Sequence, residues 1–210
     1  MNNIFPFDTQ VSNEQRKVLM KQEPKLVWLT GLSGSGKSTL AVRLEHYLFS
    51  NGYKVYILDG DNVRSGLCND LGFSQQDRKE NLRRIGEVAK LMLDAGLIVI
   101  SAFISPYGEE REAVRATVGA DRFIEVYVRC PVATCETRDV KGLYAKARQG
   151  LIADFTGISA PYEVPTNPDI EVDTAGETID ESLSSIINYL EGKLDIAESS
   201  TSIKPVAALK

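Results

Sequence analysis

Cysteine and histidine are scarce in this chain of 210 residues. The three cysteines, Cys68, Cys130 and Cys135, form no CxxC pair, which argues against a disulfide framework and against a zinc site. The single histidine, His46, falls within a predicted helix, where we expect it to have a structural role. General-base catalysis by histidine is therefore not expected, and a carboxylate would have to act as the base.

The chain also lacks an apolar segment long enough to cross a membrane and a surplus of positive charge. No apolar segment approaches the roughly 20 residues that cross a bilayer, and the N-terminus has no basic region followed by an apolar one. We therefore expect no membrane segment, no secretory signal and a cytoplasmic location. The net charge of −5 disfavours nonspecific nucleic-acid binding, because that affinity comes from clustered Lys and Arg.

The length and composition predict one globular domain. With 43% hydrophobic and 25% charged residues, a chain of 210 residues can build a single core. We assign this domain to residues 25–194. Residues 1–24 would be a polar N-terminal extension with a short helix within residues 11–22, and residues 195–210 are expected to form a disordered tail.

Within this domain, apolar β-type segments alternate with helical patterns, which is typical of a parallel sheet covered by helices. The predicted strands are residues 26–30, 54–58, 97–103, 123–130 and 170–173. Apolar stripes that begin at Leu40, Leu82 and Ile179 predict three of the helices. The expected fold is α/β, with a mostly parallel five-stranded sheet and helices on both faces.

A phosphate-binding loop connects the first strand to the first of these helices. Residues 31–38, GLSGSGKS, fit the pattern G-x-x-x-x-G-K-[ST] in the strand-to-helix context that this motif requires. Its backbone N–H groups would surround phosphate, while Lys37 would bridge the β- and γ-phosphates and Ser38 would ligate Mg²⁺. The predicted ATP contacts in this segment are Gly31, Leu32, Ser33, Gly34, Ser35, Gly36, Lys37, Ser38 and Thr39. The motif predicts the fold of the P-loop NTPases and kinases.

The loop indicates nucleoside triphosphate binding but no particular reaction. GTPases, ATPase motors and small-molecule kinases share it, and the lack of an [NT]-K-x-D segment disfavours a GTPase. A kinase is favoured by the second strand, which ends in LDGDNVR and places Asp59, Asp61 and Arg64 at the carboxyl edge of the sheet. A carboxylate there would orient Mg²⁺ or accept the proton of an attacking hydroxyl, and we favour Asp61 over Asp59 for this role.

Further polar groups are expected to face the same crevice. Helical spacing puts Arg78, Asn81 and Arg84 on the side opposite the stripe of Leu82. An anionic acceptor would lie along them. Ser105, which follows the third strand, would add a hydroxyl group at the same edge.

A lid is predicted after the fourth strand. Arg138, Lys141 and Arg148 lie in or beside a helical segment, and the sequence DFTGISAPYEVP follows, rich in Gly, Pro and aromatic residues. Such a segment is typical of a mobile lid that closes over bound phosphates. Phe73 and Phe155 are candidates for stacking a base between their rings.

These segments resemble the adenosine 5′-phosphosulfate (APS) kinase family over nearly all of residues 25–192. The matching segments are GLSGSGKST, LDGDNVR, residues 71–91, AFISPY, and KGLYAKAR followed by FTGISAPYE. The resemblance implies a stand-alone kinase that transfers the γ-phosphoryl group of ATP to the 3′-hydroxyl of APS, with Mg²⁺ required, and that forms a homodimer. The product would be 3′-phosphoadenosine 5′-phosphosulfate (PAPS). The alternatives are another P-loop small-molecule or nucleoside-monophosphate kinase, and a catalytically silent nucleotide-binding module.

The resemblance also implies roles for individual residues. The implied APS contacts are Asp61, Arg64, Phe73, Arg78, Asn81, Ile104, Ser105, Lys141 and Phe155. Lys37 and Asp61 would be catalytic, with Asp61 handling the 3′-hydroxyl, and Arg138 would contact ATP from the lid. Ser105 matches a position treated in bacterial members as a phosphoserine intermediate. In-line direct transfer suffices, however, when donor and acceptor share one crevice, and Ser105 would then only hydrogen-bond the acceptor.

Two positions depart from the family pattern. Ser65 stands where the family commonly has His, and Val140 stands where it commonly has Pro. The first change could remove a hydrogen bond near the acceptor, and the second could loosen the hinge of the lid. Neither position lies in the phosphate-binding loop.

Overall fold

A five-stranded sheet forms the centre of the computed structural model, which describes residue 5 and residues 9–196. The strands are β1 (Leu26–Thr30), β2 (Val55–Asp59), β3 (Ile98–Ala102), β4 (Phe123–Arg129) and β5 (Ile170–Asp173). They lie in the order β2-β3-β1-β4-β5, and each neighbouring pair is parallel. All five predicted strands are confirmed to within one residue at each end, and the sheet is parallel throughout.

Eight α-helices accompany the sheet in the described part of the chain. They are α1 (Asn13–Met20), α2 (Lys37–Ser50), α3 (Gly60–Ser65), α4 (Gln75–Asp94), α5 (Gly108–Val118), α6 (Val132–Arg138), α7 (Leu143–Arg148) and α8 (Ile179–Leu190). Local caps define several starts: Thr178 and Glu181 form a capping box at α8, and the Ser74 hydroxyl accepts a hydrogen bond from the Asp77 amide at α4. The helix expected within residues 11–22 is α1.

Helices cover both faces of the sheet, as the sequence predicts. On one face, Leu44 of α2 and Ile186 of α8 belong to the same fully buried cluster as Leu29 of β1. On the other face, Ile85 of α4 packs in a cluster with Trp28 of β1. Full burial of one such aliphatic side chain stabilises the fold by about 1.5–3 kcal/mol. The central strand is thus rigidly held, and it carries the phosphate-binding loop at its end.

The carboxyl edge of the parallel sheet gathers the segments predicted to form the site. Residues 31–36 follow β1, Asp59 ends β2, and Ser105 follows β3. The predicted lid, which includes α6 and α7, follows β4. Residues far apart in sequence therefore meet along one edge.

The two ends of the chain are described only in part. Of the predicted tail, Asp195 and Ile196 are described and residues 197–210 lie outside the described residues, as do residues 1–4 and 6–8 of the predicted extension. Among the helices of the described part, none combines the length and the apolar character needed to cross a membrane.

Candidate active site

The phosphate-binding loop needs glycine at particular positions. Gly36, which precedes α2, has a φ of 98°, in the left-handed region that favours glycine. At Gly31, an added Cβ would lie 2.5 Å from the carbonyl oxygen of Val128 on β4. The loop is therefore pressed against the neighbouring strand, and its curvature depends on residues without side chains.

Lys37 is buried within this loop. Its Nζ donates to the carbonyl oxygen of Leu32 at 2.5 Å and lies 3.4 Å from the hydroxyl of Ser35. Burial lowers the pKa of Lys37 to about 8. The ammonium group is thus held by uncharged loop atoms, and the negative charge of a nucleotide phosphate would favour its protonated form.

A hydrogen bond between Ser38 and Asp59 joins the phosphate-binding loop to the end of β2. The hydroxyl of Ser38 donates to Oδ2 of Asp59 at 3.0 Å, while Oδ1 of Asp59 accepts the backbone N–H of Asp61 at 3.0 Å and caps α3. The carboxylate that reaches Ser38 is therefore that of Asp59. Sequence reasoning favoured Asp61 over Asp59 for orienting Mg²⁺ or accepting the hydroxyl proton. The structure brings Asp59 to Ser38, the predicted Mg²⁺ ligand.

Asp61 faces the predicted lid instead. Its Oδ2 accepts a hydrogen bond from the Nζ of Lys141, and both side chains are more than half exposed. Because an exposed ion pair adds only about 0–1 kcal/mol to stability, this pair is of more interest for chemistry than for folding. The structure thus brings together two of the predicted acceptor-side residues.

Ser105 is enclosed in the turn after β3. Its side chain is only 2% exposed, its φ is 40°, and its Oγ accepts a hydrogen bond from Nε1 of Trp28 at 3.0 Å. The same hydroxyl donates to Oγ1 of Thr30 at 2.8 Å. The hydroxyl is engaged as both donor and acceptor within the fold, which disfavours its use as a phosphate carrier.

Thr30 connects three parts of the site. Its hydroxyl donates to the carbonyl oxygen of Ile104 at 2.8 Å and lies 3.0 Å from the hydroxyl of Tyr162. Since the Thr30 proton is already directed to Ile104, the Tyr162 hydroxyl is the donor in the second contact. The Thr30 hydroxyl, at the end of β1, therefore contacts both the turn at Ser105 and the end of the lid at Tyr162. Sequence reasoning missed this role, because a threonine at a strand end and a tyrosine in a loop carry no motif.

Two predicted acceptor contacts, Arg64 and Arg78, both contact Phe73, which lies just before α4. The guanidinium of Arg64 stacks 4.6 Å above the ring of Phe73, and Nε of Arg78 donates to the Phe73 carbonyl oxygen at 2.9 Å. Arg78 also reaches Thr156 Oγ1 at 3.3 Å and the Asp154 carbonyl oxygen at 3.2 Å. Arg78 therefore connects the start of α4 to the segment predicted to close over substrate, whereas Arg64 contacts the residues just before α4.

The predicted arrangement of α4 needs one correction. Asn81 does not lie opposite the apolar stripe: it is 3% exposed, and its Oδ1 has no hydrogen-bond partner among the described residues. A helix turns by about 100° per residue, so Asn81 lies beside Leu82 and turns inward with it. Arg84 forms ion pairs with Asp70 at 2.6 Å and with Glu80 at 2.9 Å.

The two candidate stacking rings have different surroundings. Phe73 is 65% exposed, whereas Phe155 is buried and packs edge-on against Tyr144 at 4.9 Å. The Tyr144 hydroxyl donates to the Ser33 carbonyl oxygen at 2.9 Å, so this part of the lid touches the phosphate-binding loop. Base stacking between the two phenylalanines remains a prediction.

Arg138 also contacts the phosphate-binding loop. Its Nη1 donates to the Gly34 carbonyl oxygen at 3.3 Å and its Nη2 to the Thr174 carbonyl oxygen at 2.5 Å. The hydroxyl of Thr174 in turn donates to the Ser35 carbonyl oxygen at 2.7 Å. Arg138 thus lies on the predicted ATP side, and Thr174 is a supporting residue that sequence reasoning did not identify.

The two departures from the family pattern are both on the surface. The hydroxyl of Ser65 donates to the Asn62 carbonyl oxygen at 2.7 Å, within α3, and Val140 is 90% exposed beside Lys141. Neither side chain supports the phosphate-binding loop. Their expected effects on the acceptor and on the hinge stay predictions.

Comparison with known proteins identifies one family. The model of the family described as adenylylsulphate kinase matches residues 23–173. Adenylyl-sulfate kinases from Staphylococcus epidermidis and Marinobacter nauticus are each 56% identical to this chain. The matches cover 90% and 91% of this chain, respectively, and 96% of each relative.

Solved structures agree with this result. The Mycobacterium tuberculosis APS kinase CysC, in complex with AMPPNP and APS, is 49% identical and has a TM-score of 0.77, covering 81% of this chain and 99% of that one. A gluconokinase from Sinorhizobium meliloti, at 16% identity and a TM-score of 0.53, shares the fold alone. The resemblance read from the sequence is therefore confirmed, and this chain belongs to the adenylyl-sulfate kinase family.

Proposed function

We propose that this chain is an ATP-dependent kinase that phosphorylates the 3′-hydroxyl of APS and so forms PAPS. The observation that carries this proposal is the ion pair between Asp61 and Lys141. Asp61 lies two residues beyond Asp59, and Asp59 accepts a hydrogen bond from Ser38 of the phosphate-binding loop. A carboxylate suited to receive a hydroxyl proton thus stands next to the place where the γ-phosphate would bind. Membership of the adenylyl-sulfate kinase family supports the choice of acceptor.

The proposed reaction is a direct in-line transfer. The 3′-oxygen of APS forms a bond to the γ-phosphorus while the bond from that phosphorus to the β–γ bridging oxygen breaks, releasing ADP. The hydroxyl proton passes to the carboxylate of Asp61, which Lys141 keeps oriented. Lys37 holds the β- and γ-phosphates, and no covalent intermediate on the protein is required.

Ser38 and Asp59 are the residues that would hold Mg²⁺ with the nucleotide. Their side-chain oxygens lie 3.0 Å apart, and hydroxyl and carboxylate oxygens are donors that Mg²⁺ accepts. Bound there, Mg²⁺ would neutralise charge that develops on the transferred phosphoryl group.

The acceptor side offers matching chemistry for APS. Arg64 and Arg78 supply cations for the phosphosulfate group. Asn81 is an APS contact by resemblance only, because its Oδ1 is buried and has no partner among the described residues. Phe73 and Phe155 would stack the adenine ring. These assignments follow the resemblance and the contacts described above.

The proposal extends to assembly, location and chain organisation. A hexameric APS kinase from Thiobacillus denitrificans is 36% identical, with a TM-score of 0.62, and the match covers 82% of this chain and 29% of that one. This relative supports oligomerisation within the family. We expect a homodimer, measurable by light scattering, and a cytoplasmic location, measurable by cell fractionation. The kinase domain would comprise residues 25–194, so deletion of residues 197–210 should leave turnover unchanged.

Steady-state assays with different acceptors test the function. The purified protein with ATP, Mg²⁺ and APS should release ADP and PAPS in equal amounts, and a Lys37→Ala variant provides the inactive control. A nucleoside monophosphate or gluconate in place of APS should give no comparable ADP release. Faster turnover with either acceptor would contradict the proposal in favour of another kinase, and ATP binding without any ADP release would identify a silent nucleotide-binding module.

A further inference from the structure

Arg111 of α5 is a buried cation that no step of the proposed reaction uses. It is 5% exposed, and its guanidinium lies between two segments that are far apart in sequence. Nη1 donates to the carbonyl oxygen of Ser105 at 2.8 Å, and Nη2 donates to the carbonyl oxygen of Glu163 at 2.9 Å. One side chain therefore joins the turn after β3 to the end of the lid.

The position of this guanidinium is fixed from the sheet. Nε of Arg111 lies 2.8 Å from Oε1 of Glu125 on β4, and Glu125 is itself 7% exposed. Burial raises the pKa of Glu125, and the charges of Arg111 and Arg115 oppose this rise. A buried ion pair is costly to break from one side, because the remaining charge is left without a partner. Glu125 thus holds Arg111 while its other two nitrogens serve the two carbonyl groups.

The turn at Ser105 has a backbone conformation that its neighbours must support. Its φ of 40° lies in the left-handed region, which a residue with a side chain keeps only where surrounding contacts hold it. The lid end lies directly against this turn. The Glu163 N–H donates to the Pro106 carbonyl oxygen at 2.8 Å, and the Gly108 N–H donates to Oε2 of Glu163 at 2.7 Å. Arg111 fixes one carbonyl group on each side of this contact.

We propose that Arg111 is a positioning residue for the acceptor, which holds the turn at Ser105 in register with the end of the lid. The proposal rests on the proposed function, in which Ile104 and Ser105 contact APS and the lid closes over it. Loss of the two carbonyl contacts would loosen the acceptor side of the site. Among the described residues, Arg111 makes no hydrogen bond to residues 31–38, so the binding of ATP should be affected much less.

Arg111→Lys and Arg115→Lys are the matched variants, one turn apart on α5. Lys keeps a positive charge for Glu125, but its single ammonium group does not reproduce the planar fork that serves two carbonyl groups. Arg111→Lys should raise the KM for APS about tenfold, with kcat and the KM for ATP changed by about twofold or less. Partial unfolding would lower the apparent kcat alone, because KM does not depend on the fraction of active enzyme. An unchanged KM for APS in Arg111→Lys would overturn the proposal.

Arg115 provides the control because it shares the ion-pair cluster but not the carbonyl contacts. Its Nη2 lies 3.8 Å from Oε2 of Glu125 and 3.6 Å from Oδ2 of Asp169. It makes no hydrogen bond to the turn or to the lid in the part of the chain that the structure describes. Arg115→Lys should therefore leave the KM for APS unchanged. An equal rise in both variants would assign the effect to the charge cluster, against the proposal.

A double variant, Arg111→Met with Glu125→Met, removes the ion pair as a unit. Replacement of a buried pair by apolar side chains of similar volume is often neutral for stability, so this protein should fold even where a single substitution does not. It lacks both donors to the carbonyl groups and should also raise the KM for APS about tenfold. A stable double variant with an unchanged KM for APS would show that these contacts do not position the acceptor.

Hydrogen exchange without substrates separates this inference from the proposed function. The amides of Gly108 and Glu163, which join the turn to the lid end, should exchange about tenfold faster in Arg111→Lys and at the unmodified rate in Arg115→Lys. Equal exchange in Arg111→Lys and the unmodified protein would overturn the role of Arg111. A lack of turnover with APS in the unmodified protein would contradict the proposed function alone, because the exchange rates do not depend on the acceptor.

Discussion

The hydroxyl of Ser105 donates a hydrogen bond to Oγ1 of Thr30 across 2.8 Å. With Nε1 of Trp28 donating to the same Ser105 oxygen at 3.0 Å, the hydroxyl is held by two residues of β1. A phosphoryl group on this oxygen would break the first bond and would need space in a position that is 2% exposed. The geometry thus favours direct transfer between ATP and the acceptor.

Replacing Ser105 by Ala should leave turnover within a few fold of the unmodified enzyme. Direct transfer does not use the hydroxyl, and the loss of its hydrogen bonds alters only local packing. Steady-state kinetics with APS measure this, and mass spectrometry after incubation with ATP alone should detect no phosphorylated protein. A loss of about a thousandfold, roughly 4 kcal/mol in the activation free energy, would instead indicate an obligatory phosphoserine.

Tyr162→Phe should raise the KM for APS about fivefold with a smaller change in kcat. The variant keeps the ring but loses the hydroxyl contact with Thr30, which costs about 1 kcal/mol and loosens the link between lid and acceptor turn. Tyr127→Phe is the control, because the Tyr127 ring stacks on Tyr162 at 6.1 Å and is also largely buried. Equal effects of the two substitutions would assign the result to packing rather than to the hydroxyl contact.

Asp59→Asn and Asp61→Asn should impair different steps. Asn at position 59 keeps an oxygen to cap α3 but loses the charge beside Ser38, so the Mg²⁺ concentration needed for half-maximal rate should rise about tenfold. Asn at position 61 should instead lower kcat by about a hundredfold or more, since general-base catalysis typically contributes 10²–10⁴-fold. Titration of Mg²⁺ against rate separates the two, and the reverse pattern would exchange the roles of the carboxylates.

ATP binding should weaken as the pH rises above about 8, the pKa to which burial lowers Lys37 in the nucleotide-free protein. Below this pH the lysine is already charged, whereas above it a proton must be taken up when the phosphates bind, so affinity should fall by up to about tenfold per pH unit. Calorimetry near pH 9 in two buffers of different ionisation enthalpy should detect uptake of up to one proton.

Lys37→Arg provides the control for this pH dependence. The guanidinium keeps its charge throughout the range, so the variant should show no proton uptake from this position even if it binds ATP more weakly. Equal proton uptake by the variant and the unmodified protein would assign the effect to another group.

The phosphate-binding loop and the strands could be predicted from the sequence because their signals are local. Lys37 and Ser38 belong to one contiguous motif, and their place between a strand and a helix follows from the residues on either side. Five apolar segments sufficed to locate the strands to within one residue, since a buried parallel strand is apolar along most of its length. Family membership followed from the same contiguous segments.

Other features were decided by tertiary structure, because they join residues that no spacing rule relates. Asp59 and Asp61 are two residues apart, and only the cap at α3 turns one carboxylate to Ser38 and the other to Lys141. Asn81 matches the helical period of a polar face, yet packing turns it into the core.

The contact of Thr30 with Ser105 spans 75 positions and that with Tyr162 spans 132. The sequence determined that this chain binds a nucleotide and to which family it belongs, since those signals lie in short segments. Which hydroxyl group and which carboxylate contact each other was decided by the folded sheet, because it brings distant strand ends to one edge.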